Sequence, residues 1–114
     1  MSKRTLMISV LGLMIGVLSH ATPPVWVIDL DDVIEASSAR YLSDSLEDAS
    51  TSNVPLVVLR IDTPGGWMDS TRDIVKDILA SPVPVAAYVS PEGASATSAG
   101  TYIVYASHVA AMAP

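Results

Sequence analysis

Two short stretches hold the residues with the most to offer chemically. Asp62-Thr63-Pro64-Gly65-Gly66 closes one apolar run, and Gly93-Ala94-Ser95-Ala96-Thr97-Ser98-Ala99-Gly100-Thr101-Tyr102 follows another. The second sets serines at a tight strand-to-helix turn. The first supplies a glycine pair without Cβ atoms, whose backbone lets a substrate approach and whose amides can face a developing oxyanion. Nucleophile and oxyanion hole are two of the three parts of a serine hydrolase. The third, a general base, has no well-placed candidate. His108 falls past the helix that should follow Ser98 and reads as a surface or capping histidine. Lys76, in Asp73-Ile74-Val75-Lys76-Asp77, is flanked by acids on a helix and reads as a charged surface side chain. Of the two serines, Ser98 stands where a helix N-terminus favours negative charge, and Ser95 reads as a cap or loop hydroxyl.

The elements that must position these groups alternate in type. Val25–Leu30 reads as a buried strand after Pro23-Pro24. From Ile34 to about Ala49, Ala36, Ala39, Leu42, Leu46 and Ala49 recur at helical spacing. Ser50 to Asn53 is a polar turn, and Pro55 to Ile61 is a β-branched strand ending at Thr63-Pro64-Gly65-Gly66. Thr71, Ile74, Val75, Ile78 and Leu79 mark a second helix, which Ser81-Pro82 stops. Val83 to Val89 is a third strand, a third helix of small residues begins near Ala96, and Val109 to Met112 begins a fourth strand. This order predicts an α/β domain with a mainly parallel sheet, whose reactive groups gather where strands end and helices begin.

The order of hydrophobic strand, Thr-Pro-Gly-Gly, amphipathic helix, Pro-Val-Pro-Val-Ala-Ala-Tyr-Val strand, Gly-Ala-Ser-Ala-Thr-Ser-Ala-Gly-Thr-Tyr and Ala-Met-Ala-Pro resembles the N-terminal protease domain of the NfeD family. These are membrane-associated serine proteases of the Clp/crotonase superfamily, related to ClpP and SppA. The resemblance runs from about Val25 to Pro114. It implies a Clp/crotonase-like α/β fold of repeated strand-helix units, truncated here at the C-terminus. It further implies that Ser98, in the family's A-x-S-A-G pattern, is the nucleophile. The Gly66 and Ala99 amides would form the oxyanion hole, and Gly65 would belong to the substrate-groove backbone. The base implied is a lysine beyond Pro114, made neutral by burial. Substrates would be hydrophobic segments of membrane-associated, stomatin-like proteins, and the protein would self-associate into a homo-oligomer. Neither metal nor organic cofactor is implied.

Composition narrows the classes further. There is no cysteine, so disulfides and thiolate chemistry are excluded. Lys3 and Arg4, the apolar run from Leu6 to Leu18, and Ser19-His20-Ala21 read as a secretory signal over residues 1–21, or else an N-terminal anchor. Residues 22–114 then form the N-terminal part of a ClpP-like serine protease domain, exported and membrane-associated in the periplasm or another extracytoplasmic space. Without the signal, Arg40, Arg60, Arg72 and Lys76 stand against twelve Asp and Glu, a balance that disfavours nucleic acid. A catalytically inactive ClpP-like binding module is the second reading. A third, remote one is a phosphatase, from Asp29-Leu30-Asp31 after a hydrophobic strand; it lacks the Gly-Thr such enzymes carry next, and an acidic loop leading into a helix is the plainer account.

Overall fold

The computed structural model describes residues 21–114; the expected export segment, apart from Ala21, lies outside them. Strands and helices alternate strictly: β1 (Trp26–Leu30), α1 (Ala36–Thr51), β2 (Val57–Ile61), α2 (Met68–Ala80), β3 (Val85–Val89), α3 (Ala99–Ala106) and β4 (Val109–Met112). The strands lie side by side in chain order, β1-β2-β3-β4, and every pairing is parallel. Parallel neighbours require a crossover, and each helix supplies one. Successive helices pack on each other, α1 on α2 and α2 on α3. Same-handed crossovers between adjacent strands put all three on one face of the sheet.

The core forms between that helix layer and the sheet. Ile28, Leu30, Val57, Leu59, Ile61, Val85, Ala87 and Val89 point into it, with Leu42, Leu46, Ile74, Ile78 and Ile103 from the helices. Among the described residues no helix covers the opposite sheet face. Register brings Val27, Val58 and Ala86 into one row and Asp29, Arg60 and Tyr88 into the next. β1, expected to be buried, is therefore buried on alternate residues only, and Val27 is 57% exposed. Arg60 spans to Asp29 with Nε and Nη2 at 2.6 and 2.9 Å. That hydrogen-bonded carboxylate raises the guanidinium pKa above its ordinary value, first by the hydrogen bond and then by charge.

Several boundaries differ from the expected ones. α1 starts at Ala36 behind a reciprocal cap, in which the Glu35 side chain accepts from the Ser38 amide and Ser38 Oγ accepts from the Glu35 amide at 2.8 Å. The helix continues through the expected polar turn to Thr51. Leu79, counted on the apolar stripe of α2, is 67% exposed, because α2 buries the line of Ser70, Thr71, Ile74 and Ile78 instead. α3 starts at Ala99, three residues later than the small-residue run suggested, because Ser98 holds a non-helical conformation.

Candidate active site

β2 continues past Ile61 as an irregular extension between two loops. On its β1 side Ile34 bridges to Gly66, and on its β3 side Ala96 bridges to Thr63, both parallel. The Thr63 amide donates to Ser95 O at 2.7 Å, and the Thr97 amide donates to Thr63 O at 3.1 Å. The loop after β3, which carries Ser98, is thereby stitched to the segment that carries Gly65 and Gly66.

Orientation of the Gly66 amide follows from peptide planarity. Gly65 O accepts the Ile34 amide at 2.9 Å, so the Gly65–Gly66 carbonyl points to the β1 side. The only cis bond among the described residues is Ser90–Pro91. In a trans peptide the N–H opposes the C=O, which turns Gly66 N–H toward the β3 side, where the serine loop lies. Ala99 opens α3, and a helix provides no partner for its first amides. Neither Gly66 N–H nor Ala99 N–H donates a hydrogen bond among the described residues. Two free donors thus flank one turn.

Ser98 is the residue between them. Its backbone sits at φ 52°, ψ −108°, a region that L-residues with side chains rarely occupy, at the N-cap of α3. Such a conformation costs about 1–3 kcal/mol and persists only where surrounding structure enforces it. A strained serine on a strand-to-helix turn is also the backbone device by which hydrolases lift a nucleophile clear of the sheet. Ser98 is exposed, and its Oγ makes no hydrogen bond among the described residues. Ser95 is tied down: its amide donates to Asp62 Oδ1 at 3.0 Å and its Oγ donates to Thr63 O at 3.3 Å. The two serines thus differ in freedom.

Three glycines are required by close approach of neighbouring atoms. A Cβ on Gly65, which has φ +110°, would lie 2.9 Å from Ser98 Cβ. Gly66 has no positive φ, but a Cβ there would collide with the backbone of Ile34. Gly65 makes room for Ser98, and Gly66 makes room for the β1–α1 junction. Gly100 lets α3 close on the extension, since its Cβ would lie 2.9 Å from Thr63 Cγ2 and 3.1 Å from Ala96 Cβ.

Lys76 and His108 stand apart from this turn. Lys76 is exposed on α2. His108 precedes β4 at the opposite end of the sheet, where its Nδ1 accepts the Val85 amide at 3.1 Å and its own amide donates to Val85 O. The Asp29 carboxylate is occupied by Arg60, and Asp32 Oδ1 accepts the Val33 amide at 2.7 Å. A cavity of about 770 Å³ is walled by Asp29, Asp31, Asp32 and Glu35 among others, and does not include Ser98. Closer to the serine by chain position is a cleft of about 330 Å³ between α2 and α3, lined by Met68, Thr71, Arg72, Val75, Lys76 and Tyr102. Met68 follows closely on Gly66, and Tyr102 lies one helical turn past Ser98.

The chain matches the family described as NfeD1b, N-terminal domain, over residues 24–114. It belongs to that family. The membrane-bound protease PH1510 of Pyrococcus horikoshii is 47% identical over 75 residues, which cover 66% of this chain and 16% of that protein. The membrane protein NfeD1b of Bacillus subtilis is 35% identical over 108 residues, 95% of this chain and 24% of that protein. Among solved structures, a substrate-peptide complex of a lysine-to-alanine variant of 1510-N, a membrane-bound stomatin-specific protease, has a TM-score of 0.79 at 39% identity. It covers 82% of this chain and 43% of that one. A ClpP1 variant from Listeria monocytogenes shares the fold, with a TM-score of 0.57 at 21% identity over 71% of this chain and 46% of that one. This NfeD1b-type domain therefore has the expected Clp-like α/β fold, and spans less than a quarter of its curated relatives' length.

Thr63 is the residue that sequence reasoning passed over. It is fully buried, although polar, and hydrogen-bonds to Asp32, Gly65, Ser95 and Thr97. The signal was present: a threonine two residues before a glycine can accept that glycine's amide in a local turn.

Proposed function

We propose that this chain carries the nucleophile and oxyanion hole of a membrane-associated serine endopeptidase. The observation that supports this best is Ser98, strained, exposed and free at Oγ, against Gly65 and beside two unpaired amides. Ser98 Oγ attacks a substrate peptide carbonyl, and the Gly66 and Ala99 amides hold the resulting oxyanion. The base is a lysine from outside the described residues. Neutral before attack, it accepts the serine proton and then passes it to the leaving amine. Solved variants of the relative 1510-N replace a serine in one case and a lysine in another, in keeping with such a pair. By the same likeness the substrate is a hydrophobic segment of a stomatin-type membrane protein, and the α2–α3 cleft suits one of its apolar side chains. Self-association into a homo-oligomer is part of the proposal.

Residues 21–114 alone should leave a hydrophobic peptide intact, because a serine hydroxyl without a base is a poor nucleophile near neutral pH. A longer polypeptide that adds the lysine should cleave it, as followed by mass spectrometry of the products. Turnover by residues 21–114 alone would overturn the Ser/Lys assignment. Absence of turnover in every longer form would point to the binding-module reading.

Export is proposed from the first residues. N-terminal sequencing of protein from a secreting host should begin at Thr22. Recovery of Met1 in the membrane fraction would mark an anchor instead.

A further inference from the structure

Thr63 is fully buried just past the end of β2, and its contacts join three segments near Ser98. Its hydroxyl donates to Asp32 O at 2.6 Å, in the loop that leads to Ile34. The same oxygen accepts the Gly65 amide at 3.1 Å, and Gly65 O lies farther away at 3.4 Å. Its backbone carbonyl takes the Thr97 amide and the Ser95 hydroxyl, and its amide donates to Ser95 O. Its methyl packs at the place where a side chain on Gly100 would stand.

We infer that the Thr63 hydroxyl is a positioning group that sets the Gly66 amide against Ser98. The inference rests on the protease reading above. Gly65 at φ +110° has no Cβ to restrict it and many alternatives open to it. Two hydrogen bonds hold it: its amide to Thr63 Oγ1 and its carbonyl to the Ile34 amide. The second belongs to the peptide unit that carries Gly66 N–H, and the first fixes the other side of the same residue. Thr63 Oγ1 also anchors Asp32 O, and through that loop the Ile34 partner. Without the hydroxyl, Gly65 can rotate, and the donor direction of Gly66 rotates with it. Catalysis is sensitive to misplacement on the scale of 1 Å, at about 100-fold in rate.

Two substitutions separate this role from simple packing. Thr63→Val keeps the volume and the methyl but removes the oxygen; Thr63→Ser keeps the oxygen but removes the methyl. In the full-length, lysine-containing protein, Thr63→Val should lower kcat by about 10–100-fold with KM within about 3-fold. Thr63→Ser should keep kcat within about 3-fold of the parent, even though it loses a buried methyl and melts at a lower temperature. A residue that served packing alone would show the reverse order, with the serine variant the poorer enzyme. A second readout needs no turnover: amide hydrogen exchange at Gly65 and at Ile34, whose two hydrogen bonds hold Gly65, should speed by at least about 10-fold in Thr63→Val and remain near parental in Thr63→Ser, with core amides in β2 and β3 unchanged. Equal exchange at Gly65 and Ile34 in Thr63→Val and the parent, or parental kcat in a folded Thr63→Val protein, overturns the inference. Activity that survives Ser98→Ala in the same assay would remove the protease reading, while the exchange experiment would still decide whether Thr63 holds the glycine turn.

Discussion

Ser98→Ala is expected to reduce peptidase turnover of the lysine-containing protein by roughly 10⁶-fold, the scale seen when a serine protease loses its nucleophile. Ser95→Ala should retain most of the activity. The Ser95 hydroxyl is engaged with Thr63 O, at a cost of about 1 kcal/mol if that hydrogen bond is lost. The backbone of Ser98 adds a sharper expectation. At φ 52° and ψ −108° the residue stores about 1–3 kcal/mol that glycine would not. Glycine restores part of that cost through its freedom in the unfolded chain, about 0.5–1 kcal/mol. Ser98→Gly should therefore be as inactive as Ser98→Ala but more stable than the parent by about 1 kcal/mol, read from the urea midpoint at unchanged slope. A stabilised, inactive glycine variant is what a strained nucleophile predicts, and a trade of stability for activity is common at such sites. If Ser98→Gly is destabilised, the strain assigned to this turn is wrong; if Ser98→Ala still cleaves, so is the nucleophile.

Gly66→Ala is expected to damage both turnover and folding. An alanine Cβ would collide with the Ile34 backbone, which cannot yield as a side chain can. The parallel bridge between Ile34 and Gly66 would have to part, at a cost of at least about 3 kcal/mol, the upper end of overpacking penalties. Loss of the Gly66 donor should lower kcat of the remaining folded protein by about 10²–10³-fold. Gly65→Ala makes a useful comparison. Its Cβ meets Ser98 and its φ is unsuited to alanine, so kcat should fall similarly, with a stability loss of about 1–3 kcal/mol. Steady-state kinetics alongside urea unfolding separates the two. Parental kcat in a folded Gly66→Ala protein would remove this amide from the oxyanion hole.

The alternation of elements was legible in the sequence because it rests on local periodicity. Leu42, Leu46 and Ala49 repeat at helical spacing, the runs at 57–61 and 85–89 are rich in β-branched or small apolar residues, and the resulting order of strand and helix demands parallel crossovers. The two motif stretches could likewise be seen to fall at strand ends, as they do, and the structure puts Gly65 against Ser98. Only tertiary structure decided the rest, because it depends on partners distant in the chain. The line α2 buries was set by α1 and α3, which left Leu79 outside. The requirement for glycine at position 66 comes from Ile34, on another strand's loop, and no local rule marks that approach. Sequence sets Ser95 and Ser98 at different positions but does not show their hydrogen-bond partners; Thr63 and Asp62 capture the first and leave the second free. Thr63 itself is an unremarkable strand-end residue until Asp32, Gly65, Ser95 and Thr97 are brought to it. Periodicity determines which elements form, and long-range hydrogen bonds between their ends determine which side chains remain available for chemistry.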